Sequence, residues 1–159
     1  MRLMEKETGR YVDWKIFDSD AQSWSKGDSR FSREILYKSK IIIVIETTKG
    51  KKFGCYIDNQ IMEINKYISD SNAFIFKLEN GSIEKYPPKD INNVIKILDE
   101  KSEDLFIIGK NDIVIKKKDK KERCNCSQKS FDYHGKENAL IGKKGNFEVK
   151  SVMVVGTLS

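Results

Sequence analysis

Two turn signals constrain this chain more than any other feature. Lys49-Gly50 lies between "KIIIVIETT" and "KKFGCYI", and Asn80-Gly81 lies between "AFIFKLE" and "SIEKY". Each joins two runs rich in isoleucine, phenylalanine and tyrosine, the pattern of a β-hairpin. Ile41–Ile45 are apolar without a break, so both faces of that strand need cover and it belongs inside a sheet. On the return strand Phe53, Cys55 and Ile57 alternate onto one face, and Gly54 leaves room on the other. In the second hairpin Phe74, Phe76 and Leu78 share a face, and Pro87-Pro88 ends the return strand because proline cannot donate to a ladder.

Three further short runs follow: "VIKIL" over 94–98, "LFII" over 105–108 and "DIVI" over 112–115, with "GKN" turning between the last two. "FEVKSVMVVGTL" predicts one long closing strand, with Phe147, Val149, Met153 and Val155 on one face and Val152 and Val154 on the other. Helical spacing is sparse. Ser29 is placed to cap a short helix over "RFSREILYKS". "IMEINKYI" over 61–68 fits a short helix or an irregular crossing. Strands at this spacing without βαβ alternation predict a mainly β (α+β) chain, either a sandwich or a barrel. The expected form is a two-sheet antiparallel β-sandwich with a few short flanking helices. Residues 1–12 are charged and lack periodicity and are expected as a flexible leader, leaving 13–159 as a single domain.

The 159 residues are enough to bury a core without disulfides. Eight Phe, six Tyr and two Trp exclude an intrinsically disordered chain. Three cysteines are an odd count, and "MRLMEKETGR" lacks an apolar signal region. The chain is therefore expected to be intracellular, cytoplasmic or nuclear, with free thiols. The apolar run 41–45 is far short of the roughly 20 residues that span a bilayer. A net charge of +6 permits nucleic acid, anionic lipid or an acidic protein face as partner.

Reactive side chains gather in "RCNCSQKSFDYHGKENALIGKKG", 123–145. Cys55, Cys124, Cys126 and His134 are the soft ligands a zinc site would need. In an extended chain Cys124 and Cys126 stand roughly 6–7 Å apart, whereas two sulfurs on one zinc need about 3.8 Å. The spacing argues for thiols beside a core and against metal. A nucleophilic cysteine with His134 as base lacks an assured orienting group, since Asp132 is only two residues away. Lys120, Lys121 and Arg123 would depress the pKa of an exposed Cys124, so Cys124 and Cys126 are candidate redox thiols. The basic residues of "KKKDKKER", namely Lys116, Lys117, Lys118, Lys120, Lys121 and Arg123, are candidate anion or nucleic-acid contacts. With one arginine and no aromatic, the segment is suited to non-specific binding. "DSD" at 18–20 reads as an Asx-type turn rather than a calcium loop, and "GKKG" is not a P-loop. No catalytic residue set, metal or cofactor is expected.

The order of these motifs resembles the TLDc domain of the oxidation-resistance proteins, and most nearly its divergent, lysine-rich versions in protists. "FGCYI" is similar to the family's F-G-x-aromatic strand, "AFIFKL" to its F-L-F-x-L strand and "LFIIGKNDIVI" to its glycine-containing hairpin. "RFSRE" is similar to the early S-x-x-F segment, "SFDYHGKENAL" after a cysteine to the C-terminal loop, and "FEVKSVMVVG" to the closing strand. The similarity runs from about Trp14 to Gly156. It departs where "VMVVG" lacks the usual acidic and aromatic pair, and where a "GGG" element is reduced to Gly109. The resemblance implies a β-sandwich, a role in oxidative-stress protection without a catalytic residue set, and a protein partner such as the vacuolar proton-pumping ATPase. The alternative function is a basic, nucleic-acid-binding regulator of the stress response.

Overall fold

The computed structural model describes residues 2–143 and 145–158. Its strands are β1 (Tyr11–Asp18), β2 (Ile41–Thr47), β3 (Lys52–Ile57), β4 (Tyr67–Ile68), β5 (Phe74–Glu79), β6 (Ser82–Tyr86), β7 (Ile95–Ile97), β8 (Asp104–Ile108), β9 (Ile113–Lys116), β10 (Cys124–Cys126), β11 (Gly145–Phe147) and β12 (Val149–Leu158). They form two antiparallel six-stranded sheets, in the orders β1-β12-β2-β3-β5-β6 and β11-β10-β9-β8-β7-β4. This is the sandwich expected from the hairpin pattern. Helices α1 (Arg2–Thr8) and α2 (Phe31–Ile35) and a 3-10 segment (Lys118–Arg123) flank it.

Both turn signals sit where the sequence puts them. Gly50, Asn80 and Gly81 all have positive φ, and each turn joins strands paired in register. β2 lies inside the first sheet with cover on both faces. Ile41, Ile43 and Ile45 enter the core between the sheets, while Ile42 packs outside with Met4, Tyr56, Phe74, Phe76 and Val155. Gly54 opposes Phe76 across β3 and β5. A Cβ there would lie 1.8 Å from the Ile43 carbonyl oxygen and 3.1 Å from the Phe76 ring. The room that Gly54 leaves is thus taken up first by the Ile43 backbone carbonyl of the neighbouring strand and then by the edge of the Phe76 ring.

Residues 2–8, within the segment read as a leader, form α1. Met4 is fully buried against the outer face of the first sheet. The Val12 amide donates to Glu5 Oε1 at 3.0 Å, and Glu7 pairs with Lys85 at 3.5 Å. At α2, Ser29 Oγ accepts the Phe31 amide at 3.2 Å from one residue before the N-cap, Arg30. Residues 61–66 form no helix and lead irregularly into β4.

The closing segment differs from the sequence reading. It divides between sheets, β11 in the second and β12 in the first. Pairing of β12 with β2 shifts register between Val149 and Ser151. This bulge inserts one residue and reverses the alternation that follows. Phe147, Val149, Val152 and Val154 therefore all face the inter-sheet core, and Met153 and Val155 face outward.

Candidate functional site

The candidate basic segment begins at the end of β9 and turns through the 3-10 helix into β10. Its cations have unlike environments. Lys116 Nζ pairs with Asp104 at 2.6 Å. Lys117 is 1% exposed, and its Nζ donates to the backbone carbonyls of Asp99 at 2.5 Å and Ser102 at 2.7 Å. Burial lowers the Lys117 pKa, against the opposing pull of Asp99, Glu100 and Asp104. Lys121 lies 3.9 Å from Glu148. Asp119 takes the Lys26 amide at 3.0 Å, and the Lys118 amide donates to Trp24 O. Lys118 and Arg123 are exposed and Lys120 is half-buried. The run that looks continuous in sequence is divided by its own fold into a buried anchor, tethered ions and separate exposed cations.

β10 brings Cys124 and Cys126 onto one face, as alternation requires, and that face is the core. Cys55 points into the same core from β3. All three thiols are free and buried. Burial pushes the Cys124 thiol up to about 12, with the Lys116 amide, which donates to its sulfur at 3.2 Å, opposing the shift. Burial likewise raises Cys55 and Cys126. The neighbouring lysines that would activate an exposed thiol are outweighed by desolvation.

His134 sits in a left-handed turn, φ 58°. Its Nε2 donates to the Lys85 carbonyl at 2.9 Å, and its Nδ1 is 3.9 Å from Asp132. The imidazole is thus held by backbone at one nitrogen, while the Cys124 sulfur is engaged with the Lys116 amide. Among the described residues no group of three or more His, Cys, Asp or Glu is placed to hold a metal ion. Asp18 accepts the Asp20 amide at 2.9 Å, which is the Asx turn read from "DSD".

The most densely connected polar group is one the sequence reading passed over. Asp112 is 1% exposed. Its carboxylate accepts the amides of Lys129 and Ser130 at 3.0 Å, the Ser130 hydroxyl at 2.5 Å and the Tyr133 hydroxyl at 2.8 Å. Ser130 Oγ in turn accepts the Lys110 amide at 2.9 Å, and Tyr67 donates to the Gly109 carbonyl at 2.8 Å. A Cβ at Gly109, φ +65°, would lie 2.5 Å from both Asp112 Oδ1 and Ser130 Oγ. The network fastens the 127–133 loop to the β8–β9 turn. The available signal was an aspartate and a glycine flanking a turn, with Ser and Tyr in a distant loop; only the fold joins them.

The three thiols are buried, and the Asp112 carboxylate is occupied by four donors from the 129–133 loop. The buried polar groups of this arrangement are spent on holding loops. Comparison with known families adds the class: residues 14–154 match the TLDc domain. The chain belongs to the TLDc domain family, which is linked to oxidative stress. No curated protein matches the chain. Among the described residues no helix is long and apolar enough to cross a membrane.

Proposed function

We propose that this TLDc chain acts without catalysis, by protein–protein contact, in the oxidative-stress response, with the vacuolar proton-pumping ATPase as the partner to test first. One observation carries the reading. The side chains with reactive chemistry are turned inward or saturated: the thiols are buried and raised in pKa, Asp112 accepts four donors, and His134 is held on a backbone carbonyl. What faces solvent is suited to contact, including Tyr11, Trp14, Tyr37 and Leu158. The thiol burial keeps a Cys124–Cys126 switch outside this proposal. The nucleic-acid reading is weakened by the buried Lys117, the Lys116–Asp104 pair, and Asp119 and Glu122 within the same segment.

The test is affinity capture from native lysate with the full chain as bait. Recovery of pump subunits in stoichiometric amount supports the reading. Recovery of no stoichiometric protein, together with salt-sensitive DNA binding lost on Lys118→Ala and Lys120→Ala, overturns it in favour of the nucleic-acid alternative.

A further inference from the structure

At one end of the sandwich the β2–β3 turn meets the loop that leads into β11. Between them lies a cleft of about 290 Å³, lined in part by Lys49, Lys51, Lys143, Ile141 and Phe147. Phe147, 7% exposed, belongs to the core, and Ile141 packs against it. The floor is therefore apolar and backed by the core. The rim is cationic. Three lysines nearby have carboxylate partners, Lys77 with Glu79 at 3.2 Å, Lys136 with Glu84 at 2.6 Å and Lys150 with Glu46 at 3.8 Å, whereas Lys52 is exposed without one among the described residues. Lys49, Lys51 and Lys143 are exposed and have no carboxylate within ion-pair distance among the described residues. Of the two glutamates on the lining, Glu148 lies near Lys121 at 3.9 Å, which leaves Glu122. The depression continues past Lys51 into a second one, of about 500 Å³, bordered by Lys52, Lys77, Leu78 and the Asn80-Gly81 turn.

We infer that this cleft docks an acidic segment of a protein partner, with an apolar side chain on Phe147 and Ile141 and flanking carboxylates on Lys49, Lys51 and Lys143. The inference rests on the protein-contact reading above and gives it a surface. Charge complementarity and an apolar floor select this occupant. A cleft this size admits one side chain, not a duplex, and no arginine lines it for bidentate contact with phosphate or base. The contact is expected to be weak for a single segment and to depend on salt, because the rim charges are exposed.

The probe is a fluorescein-labelled peptide of four Glu-Glu-Leu repeats, titrated by anisotropy at about 50 mM salt. The expected result is saturable binding, weakened by about tenfold or more in the combined Lys49→Glu, Lys51→Glu, Lys143→Glu variant, since three rim contacts are each inverted. Lys118→Glu with Lys120→Glu, on the 3-10 segment that borders the cleft through Glu122 but themselves not on its lining, should stay within about twofold. Replacing leucine by serine in the peptide should also weaken binding. Absence of saturable binding, insensitivity to the triple reversal, equal effects at Lys118 and Lys120, indifference to the leucine, or tighter binding of duplex DNA would each overturn the inference. A matched thermal midpoint for the triple variant excludes unfolding as the cause. If wild-type chain captures pump subunits and the triple variant captures them equally, this surface fails and the protein-contact function stands.

Discussion

Asp112 shows how a single carboxylate can fix a loop. It satisfies two amides and two hydroxyls while almost fully buried. Asp112→Asn keeps the volume but replaces one acceptor oxygen with an amide donor that faces other donors. The expected cost is about 3 kcal/mol, because buried donors lose their acceptor and charge assistance is removed. A urea-unfolding midpoint measures it, with Tyr133→Phe expected to lose only about 1–2 kcal/mol. Gly109→Ala should rival the aspartate change, since its Cβ would lie 2.5 Å from two oxygens at a positive φ. The thiols carry a complementary prediction. Cys55, Cys124 and Cys126 are buried with raised pKa values. Native protein should therefore react negligibly with Ellman's reagent or mild peroxide at neutral pH, and all three thiols should react in denaturant. Rapid labelling of the native chain at Cys124 or Cys126 would show that β10 opens readily. The thiols were legible as a pair on one strand face, but the lysines beside them in sequence gave no account of desolvation, which depends on the whole fold.

At the scale of elements, hairpins were legible because their determinants are local. The runs flanking Lys49-Gly50 and Asn80-Gly81 carry both turn chemistry and period-two alternation, and their strands pair as read. β12 was misphased because strict alternation was carried through "VKSV", where the adjacent polar residues Lys150 and Ser151 set Val149 and Val152 three apart; the β2 register shows that this break is a bulge. The Asp112 network was illegible, since its members come from the β8–β9 turn and a loop about twenty residues further on. The bulge makes its own prediction. Deleting Lys150, which is exposed and has no partner in the β2 register, leaves Val149, Val152 and Val154 on the core face as a regular strand. The deletion should cost only about 1–2 kcal/mol, on the order of a lost surface contact and a local adjustment. Deleting Met153 instead reverses every later side chain and should prevent folding. Circular dichroism melts of the two deletions separate the outcomes; equal damage from both would mean that the bulge is not where the register places it.

Across the whole molecule, titration bounds the pH range in which the sandwich is stable. On the acid side, the Lys136 ammonium holds Glu84 below its ordinary value. The Asn65 amide does so for Asp99, and Asn93, Lys110 and the Asn92 amide hold Asp90 at about 2. The folded state releases these protons more readily than the unfolded chain. Their contribution is present above the ordinary carboxylate range near 4 and is lost as pH falls toward about 2. On the alkaline side the sign reverses. Cys124 keeps its proton up to about 12 when folded, against 9.0 ordinarily, and burial raises Cys55, Cys126, Tyr56, Tyr86 and Tyr133 as well. The unfolded chain loses these protons first, so stability is full below the ordinary thiol value and declines as pH rises above it. Stability should thus be flat from about pH 5 to 8 and fall on both sides. Each buried thiol contributes a slope of up to about 1.4 kcal/mol per pH unit above its unfolded value. Cys124→Ala lowers the plateau through the cavity it leaves, but it should also make the alkaline decline shallower by that one-proton slope. Urea midpoints taken between about pH 8 and 11 distinguish the two effects, because a cavity shifts the level alone. An unchanged slope would mean that Cys124 is not protected by burial in the inter-sheet core.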